Sequence, residues 1–112
     1  MTILDTSSVV ARVRRGIEIR ENVTTIALIE YPPLRGYEKF RGTIYFASEE
    51  DQLLAASLQE RLRRVGRPMS AADLLVAAIC INRGEELVTR DEDFLALVEV
   101  EPSLRVRVEH EH

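Results

Sequence analysis

The hydrophobic pattern is densest between Ser70 and Phe94, SAADLLVAAICINRGEELVTRDEDF. From Ala71 to Ile81 every residue except Asp73 is apolar, which predicts a helix buried on nearly all sides. A tight stop follows, then Leu87-Val88-Thr89 with strand character, then the acidic turn Arg90-Asp91-Glu92-Asp93. Desolvating an unpaired carboxylate costs several kcal/mol, so Asp73 on such a helix requires a partner or a cation.

The rest of the chain alternates short strands with helices. Thr2-Ile3-Leu4 predicts a strand ending at Asp5, and any of Thr6, Ser7 and Ser8 can cap the helix that follows. Its apolar stripe is Val9, Val10, Val13 and Ile17, with Arg12, Arg14 and Arg15 on the remaining face and Gly16 near its stop. Val23-Thr24 reads as a short strand; a short helix capped by Thr25 then carries Glu30 and ends at Pro32-Pro33. Leu34 to Gly42 is a loop or irregular helix in which Tyr37 and Phe40 are packing anchors.

Thr43 to Phe46 is a candidate strand. Ser48-Glu49-Glu50-Asp51 opens a helix with the negative first turn that the helix dipole favours. Leu54, Leu58, Leu62 and Val65 form its expected buried stripe, and Gly66 and Pro68 close it. Arg61, Arg63, Arg64 and Arg67 read as cations at a helix C-terminus ahead of a phosphate-binding patch. A helix from Phe94 to about Val98 precedes Leu104 to Val108, whose strict alternation marks an edge strand with one wet face. The expected fold is α/β: a three-layer α/β/α arrangement around a small, mostly parallel sheet.

Length and composition narrow the class. At 112 residues, with 46% hydrophobic and 30% charged residues, the chain reads as one soluble domain, 1–112. The longest apolar run, Leu74 to Ile81, is far too short to span a membrane, and Asp5 interrupts the N-terminal hydrophobic stretch, so the expectation is a cytoplasmic protein with no signal peptide. Cys80, the sole cysteine, reads as a buried structural thiol. A formal net charge of −4 argues against holding nucleic acid by global positive charge, although two divalent cations gathered by the acids would cancel it. Of 15 basic residues only Lys39 is lysine, a bias that codon usage or heat adaptation explains before phosphate recognition does.

In a parallel sheet, ligands sit beyond the carboxyl ends of the strands. Asp5 follows the first strand, Asp91 lies just past Thr89, and Asp73 is in the first turn of its helix, so these three point to one edge. Glu30 joins them if its helix packs there. Singly each has an ordinary explanation. Ser70-x-x-Asp73 has capping-box spacing, as does Ser48-x-x-Asp51 where no chemistry is expected; Asp5 reads as a turn or N-cap residue, and Asp91 and Asp93 as solvated turn acids. Together they repel one another unless cations hold them.

Oxygen-only ligands are the preference of Mg²⁺ or Mn²⁺, which can activate water for attack on a phosphodiester. Thiolate, His-rich and Ser-His-Asp chemistry is set aside, since His110 and His112 fall in the tail. A haloacid-dehalogenase phosphatase requires a second Asp where Ser7 stands, a receiver domain requires a late lysine, and an EF-hand starting at Asp91 requires glycine where Ala96 stands.

At these residues the chain resembles a PIN-domain protein of the VapC toxin type, in a compact archaeal-like form. ILDTSS is similar to the family's first-strand motif, and SAADLLVAAICINRGEELVTRDEDF to its central helix, strand and acidic turn; IYFASEEDQLLAASLQERLRRVGRP resembles the helix before them. By position the resemblance implies an acidic tetrad at Asp5, Glu30, Asp73 and Asp91, with Asp93 a fifth acid near the metal. It further implies metal-dependent endoribonuclease activity on RNA, a homodimer, and a VapB-type antitoxin that blocks the acidic pocket, often with an arginine. The chain is short between Asp5 and Glu30, and Pro32-Pro33 cuts the helix that usually continues past the glutamate.

The leading expectation is thus a Mg²⁺- or Mn²⁺-dependent ribonuclease. Asp5, Asp73 and Asp91 would bind metal directly, Glu30 and Asp93 through water or by orienting the nucleophile, with Thr6 or Ser7 hydrogen-bonding the cluster. Arg12, Arg14, Arg15 and Arg90 are the arginines placed to hold RNA backbone. The alternative is a catalytically silent PIN-like subunit that binds RNA or protein; a weaker third reading is a magnesium-dependent phosphatase.

Overall fold

The computed structural model describes residues 1–110; His112 lies outside them. In chain order the elements are β1 (Thr2–Leu4), α1 (Thr6–Arg14), β2 (Val23–Thr24), α2 (Thr25–Glu30), β3 (Ile44–Tyr45), α3 (Glu49–Arg64), α4 (Ala71–Arg83), β4 (Glu86–Thr89), α5 (Phe94–Val100) and β5 (Val106–Val108). A short 3₁₀ helix, Pro32–Gly36, joins α2 to the segment before β3.

Every strand pairing is parallel: β1 with β4, β4 with β5, and β2 with β3. A bridge between Ile3 and Asn22 stitches the two sheets together, through Leu4 N–H to Asn22 O at 2.8 Å and Asn22 N–H to Thr2 O at 2.9 Å. The spatial order is therefore β3-β2-β1-β4-β5, with all carboxyl ends at one edge. Gly42 is required just before β3, because a Cβ there would stand 1.9 Å from Glu21 O.

Strand alternation sorts the core into two layers of contact. Ile3 and Leu87 face Leu58 and Leu62 of α3, Ile79 of α4 and Phe94 of α5. Leu4 and Val88 face the other way, onto Val9 of α1, Ala27 of α2 and Leu34. The sheet is thus covered on both faces, as the sequence pattern predicts. Each fully buried Val, Leu, Ile or Phe side chain among them contributes about 1.5–3 kcal/mol.

The helix α4 is buried from Leu74 and along Val76 to Cys80, and ends at Gly84, whose φ of +65° suits glycine. Burial pushes the Cys80 thiol well above its ordinary range, consistent with an inert structural role. Among the described residues no helix is long and apolar enough to cross a membrane.

Several local expectations are corrected. Asp5, not one of Thr6 to Ser8, occupies the N-cap position of α1, and Thr24 rather than Thr25 caps α2, accepting Ala27 N–H at 3.4 Å. Ile17 lies past the end of α1 and is exposed; the buried face of α1 is Ser8 and Val9. Val65 is the C-cap of α3 and is exposed, so the buried stripe of α3 is Asp51, Ala55, Leu58 and Leu62. Arg61 reaches Val100 O at 3.0 Å and Glu101 at 2.8 Å, and Arg67 pairs with Glu99 at 3.1 Å, so these cations tie the end of α3 to α5.

Candidate active site

The helices α3 and α4 run antiparallel, because Asp51 at the start of α3 accepts hydrogen bonds from Asn82 and Arg83 at the end of α4. Their two Ser-x-x-Asp motifs therefore sit at opposite ends of the molecule and do different work. At Ser48 the capping box is reciprocal: Ser48 N–H donates to Asp51 at 2.8 Å, and Asp51 N–H donates to Ser48 Oγ at 3.1 Å. Asp51 is fully buried. Burial pushes its carboxyl up, but Ser48, Asn82 and Arg83 together outweigh that and hold it below the usual carboxylate range. At Ser70 only one half of the box forms, Asp73 N–H to Ser70 Oγ at 3.2 Å.

The Asp73 end of α4 lies at the carboxyl edge of the sheet, and there the acids gather. Asp5 leaves β1 in extended conformation, and its own N–H is fixed to Val88 O of β4 at 2.8 Å. Its side chain does not cap α1; it accepts a hydrogen bond from Thr89 Oγ1 at 2.9 Å and is 7% exposed. Burial raises the Asp5 pKa, the charges of Asp73 and Glu30 raise it further, and bonds from Thr89 and the Thr6 N–H act the other way. Asp73 is also raised, by burial first and then by the charges of Asp91, Glu30 and Asp93, against the Ser70 hydroxyl. The five carboxylates singled out in the sequence thus feel one another across four segments of chain.

Local hydrogen bonds hold the edge in shape. Thr6 Oγ1 donates to Glu30 at 2.5 Å, fixing the last residue of α2 to the first of α1. Ser7 Oγ accepts the Arg90 N–H at 3.1 Å. Thr89 Oγ1 accepts the Asp91 N–H at 3.0 Å, and Asp91 Oδ1 accepts the Asp93 N–H at 2.9 Å, an Asx turn that shapes the acidic loop. Both Thr6 and Ser7 therefore serve the edge.

Sequence reasoning missed Thr89. A threonine as the last strand residue before an acidic turn is the available signal, but it is equally the signature of a β-branched strand former. Arg12 is also reassigned: it forms a two-pronged pair with Glu109 at 2.9 and 2.5 Å and lies 3.6 Å from Glu21, binding α1 to the end of β5 rather than standing ready for RNA.

The donor set is oxygen only, partly buried and mutually repulsive, which fits a hard divalent cation. Among the described residues no three His, Cys, Asp or Glu side chains form a ready-made cage for an ion.

No protein-family model matches the sequence, and no curated protein is recognisably similar to it. Solved structures are. The DNA-bound VapBC of Salmonella typhimurium contains a chain of 18% identity and TM-score 0.74, with 96% of each chain covered. VapBC2 from Rickettsia felis, bound to a promoter DNA fragment, gives 16% identity and TM-score 0.75 over 97% of this chain and 98% of that one. VapBC-5 from Mycobacterium tuberculosis, of the VapBC family of toxin–antitoxin systems, gives 21% and 0.75 over 96% and 98%. At such identities the shared property is the fold, and this chain is built on the PIN-like α/β frame found in those VapBC complexes.

Proposed function

We propose that the chain is the toxin of a VapBC-type pair, a Mg²⁺- or Mn²⁺-dependent endoribonuclease that acts in the cytoplasm. The observation that carries this reading is Asp5: a buried carboxylate pushed above its ordinary pKa, with Asp73 and Glu30 adding to the push. Such a group destabilises the fold unless something positive compensates it. The fold shared with chains of VapBC complexes supports the same reading.

Asp5, Asp73 and Asp91 would hold the ion directly, with Glu30 and Asp93 acting through water or orienting the nucleophile. When bound, a divalent ion activates water for in-line attack on a phosphodiester and offsets charge on the leaving oxygen. Thr89 keeps an Asp5 oxygen in place, Thr6 does the same for Glu30, and the Asx turn presents Asp91. The partners that follow from this reading are an RNA substrate, a second copy of the chain in a homodimer, and a VapB-type antitoxin offering a cation to the acidic edge.

Cleavage of RNA in Mn²⁺ that disappears in EDTA and in Asp5→Asn is the expected outcome. Equal cleavage by the variant, or in EDTA, sinks the reading. The second reading, a catalytically silent PIN-like subunit, draws on the short segment around Glu30, where α2 ends ahead of Pro32-Pro33, and on the formal net charge of −4. It requires that calorimetry show no divalent-metal binding at millimolar concentration.

A further inference from the structure

Asp73 lies in the first turn of α4, and little of the surrounding packing holds that end of the helix in place. Full burial begins only at Leu74; Ala71 is exposed, and Ala72 and Asp73 are half-buried. On the α3 side the turn borders an open groove of about 310 Å³ whose lining includes Ala55, Ala56, Ala71 and Leu75, so packing does not brace it there. The connection that feeds the helix, Val65 to Ser70, is exposed except at Met69, which packs partly against the core. A segment so lightly held frays at the helix start unless its backbone is tied.

Gln59 of α3 supplies the tie. Its Nε2 donates to Met69 O at 2.6 Å, and its Oε1 accepts the Met69 N–H at 3.1 Å. A primary amide carries a donor and an acceptor side by side, which matches the N–H and C=O of one backbone residue. Ser70 follows directly; its Oγ accepts the Asp73 N–H at 3.2 Å and its carbonyl accepts the Leu74 N–H at 3.1 Å. We propose that Gln59 is a positioning residue for the acidic edge: by clamping the Met69 backbone it sets where α4 begins, and so holds Asp73 where a divalent cation would meet it. The inference rests on the metal-dependent ribonuclease reading. The clamp acts on the first turn alone, because the buried residues from Leu74 onward hold the rest of α4 against the sheet and α3.

The test is Gln59→Met, which keeps the length of the side chain and removes both bonds. In EDTA, amide exchange followed by NMR should lose protection at Asp73 and Leu74 and keep wild-type rates from Ala77 to Cys80. If about one chain in five retains the formed turn, the apparent metal affinity falls about fivefold. Calorimetry and RNA cleavage should therefore both require about fivefold more Mn²⁺, with wild-type cleavage recovered at saturation. Gln52→Met, about two turns earlier on the same face of α3, should match wild type throughout. The inference is overturned if the Tm falls while the Mn²⁺ midpoint stays put, which marks a purely structural clamp. Exchange that quickens uniformly along α4, or an equal midpoint shift in Gln52→Met, also overturns it. A wild type that neither binds Mn²⁺ nor cleaves RNA strikes the ribonuclease reading and the inference with it, whereas an active wild type beside an unmoved Gln59→Met strikes the inference alone, so the two failures are separable.

Discussion

Thr89 Oγ1 stands between two of the acids, donating to Asp5 Oδ2 at 2.9 Å and accepting the Asp91 N–H at 3.0 Å. One hydroxyl thus fixes the end of β1 to the loop after β4. Thr89→Val keeps the shape and removes both bonds, which should cost about 1–2 kcal/mol in a urea melt. Groups that orient metal-binding carboxylates typically matter about 10–100-fold, so Mn²⁺ affinity and cleavage should fall within that range. Thr89→Ser should restore both. Rescue of stability without rescue of metal affinity would show a purely structural role.

Asp5 links the site to stability. Its folded pKa is raised, so the folded state keeps a proton that the unfolded chain has already lost. Stability therefore falls as pH rises from the ordinary carboxylate range through the raised value, and stays lower above it. Asp73 is raised too and acts in the same direction. In EDTA at neutral pH, Asp5→Asn should melt higher than wild type and show a smaller loss between acidic and neutral pH. Mn²⁺ should raise the Tm of wild type and leave that of the variant nearly unchanged. A variant that melts lower at neutral pH contradicts this electrostatic account.

The two Ser-x-x-Asp motifs should separate cleanly by mutation. Asp51→Ala removes a buried carboxylate and strands Asn82 and the Arg83 guanidinium, so a loss of about 3–5 kcal/mol is expected by thermal or urea melting. Asp51 has a depressed pKa, so its contribution is present above the ordinary carboxylate range and is lost as pH falls through the depressed value. Asp73→Asn should change stability by less than about 1 kcal/mol while abolishing cleavage.

The same pair shows how far the sequence carries. Identical spacing gives Asp51 and Asp73 the same local reading, and both do follow a capping serine. Their difference is tertiary: Asp51 meets the end of an antiparallel neighbour, and Asp73 meets the carboxyl edge of a parallel sheet. Strand-then-acid order made that edge legible for Asp5 and Asp91. Glu30 required the packing of α2 beside α1, and Thr89 required the β1–β4 pairing that puts it against Asp5. Exposed Ile17 and Val65 mark the opposite failure, in which helical periodicity is extended one step past where the backbone turns.

Polar residues far from the site account for other features the pattern leaves open. Glu85, buried at the opposite end of β4, accepts from Asn22 at 2.8 Å and from Tyr45 OH at 2.5 Å, and Arg83 lies 4.8 Å over the Tyr45 ring. Tyr45→Phe leaves a Glu85 oxygen without this donor, so a loss of about 1–3 kcal/mol is expected by urea melting, with Mn²⁺-dependent cleavage unchanged.

The central claim is that Asp5, Glu30, Asp73, Asp91 and Asp93 form one metal site, and titration calorimetry of Mn²⁺ into the metal-free protein addresses it most directly. Wild type should bind, Asp5→Asn and Asp73→Asn should each weaken binding about tenfold or more, and Glu49→Gln, an exposed acid at the start of α3, should leave it unchanged. Absence of binding at millimolar Mn²⁺, or equal weakening by Glu49→Gln, would contradict the claim.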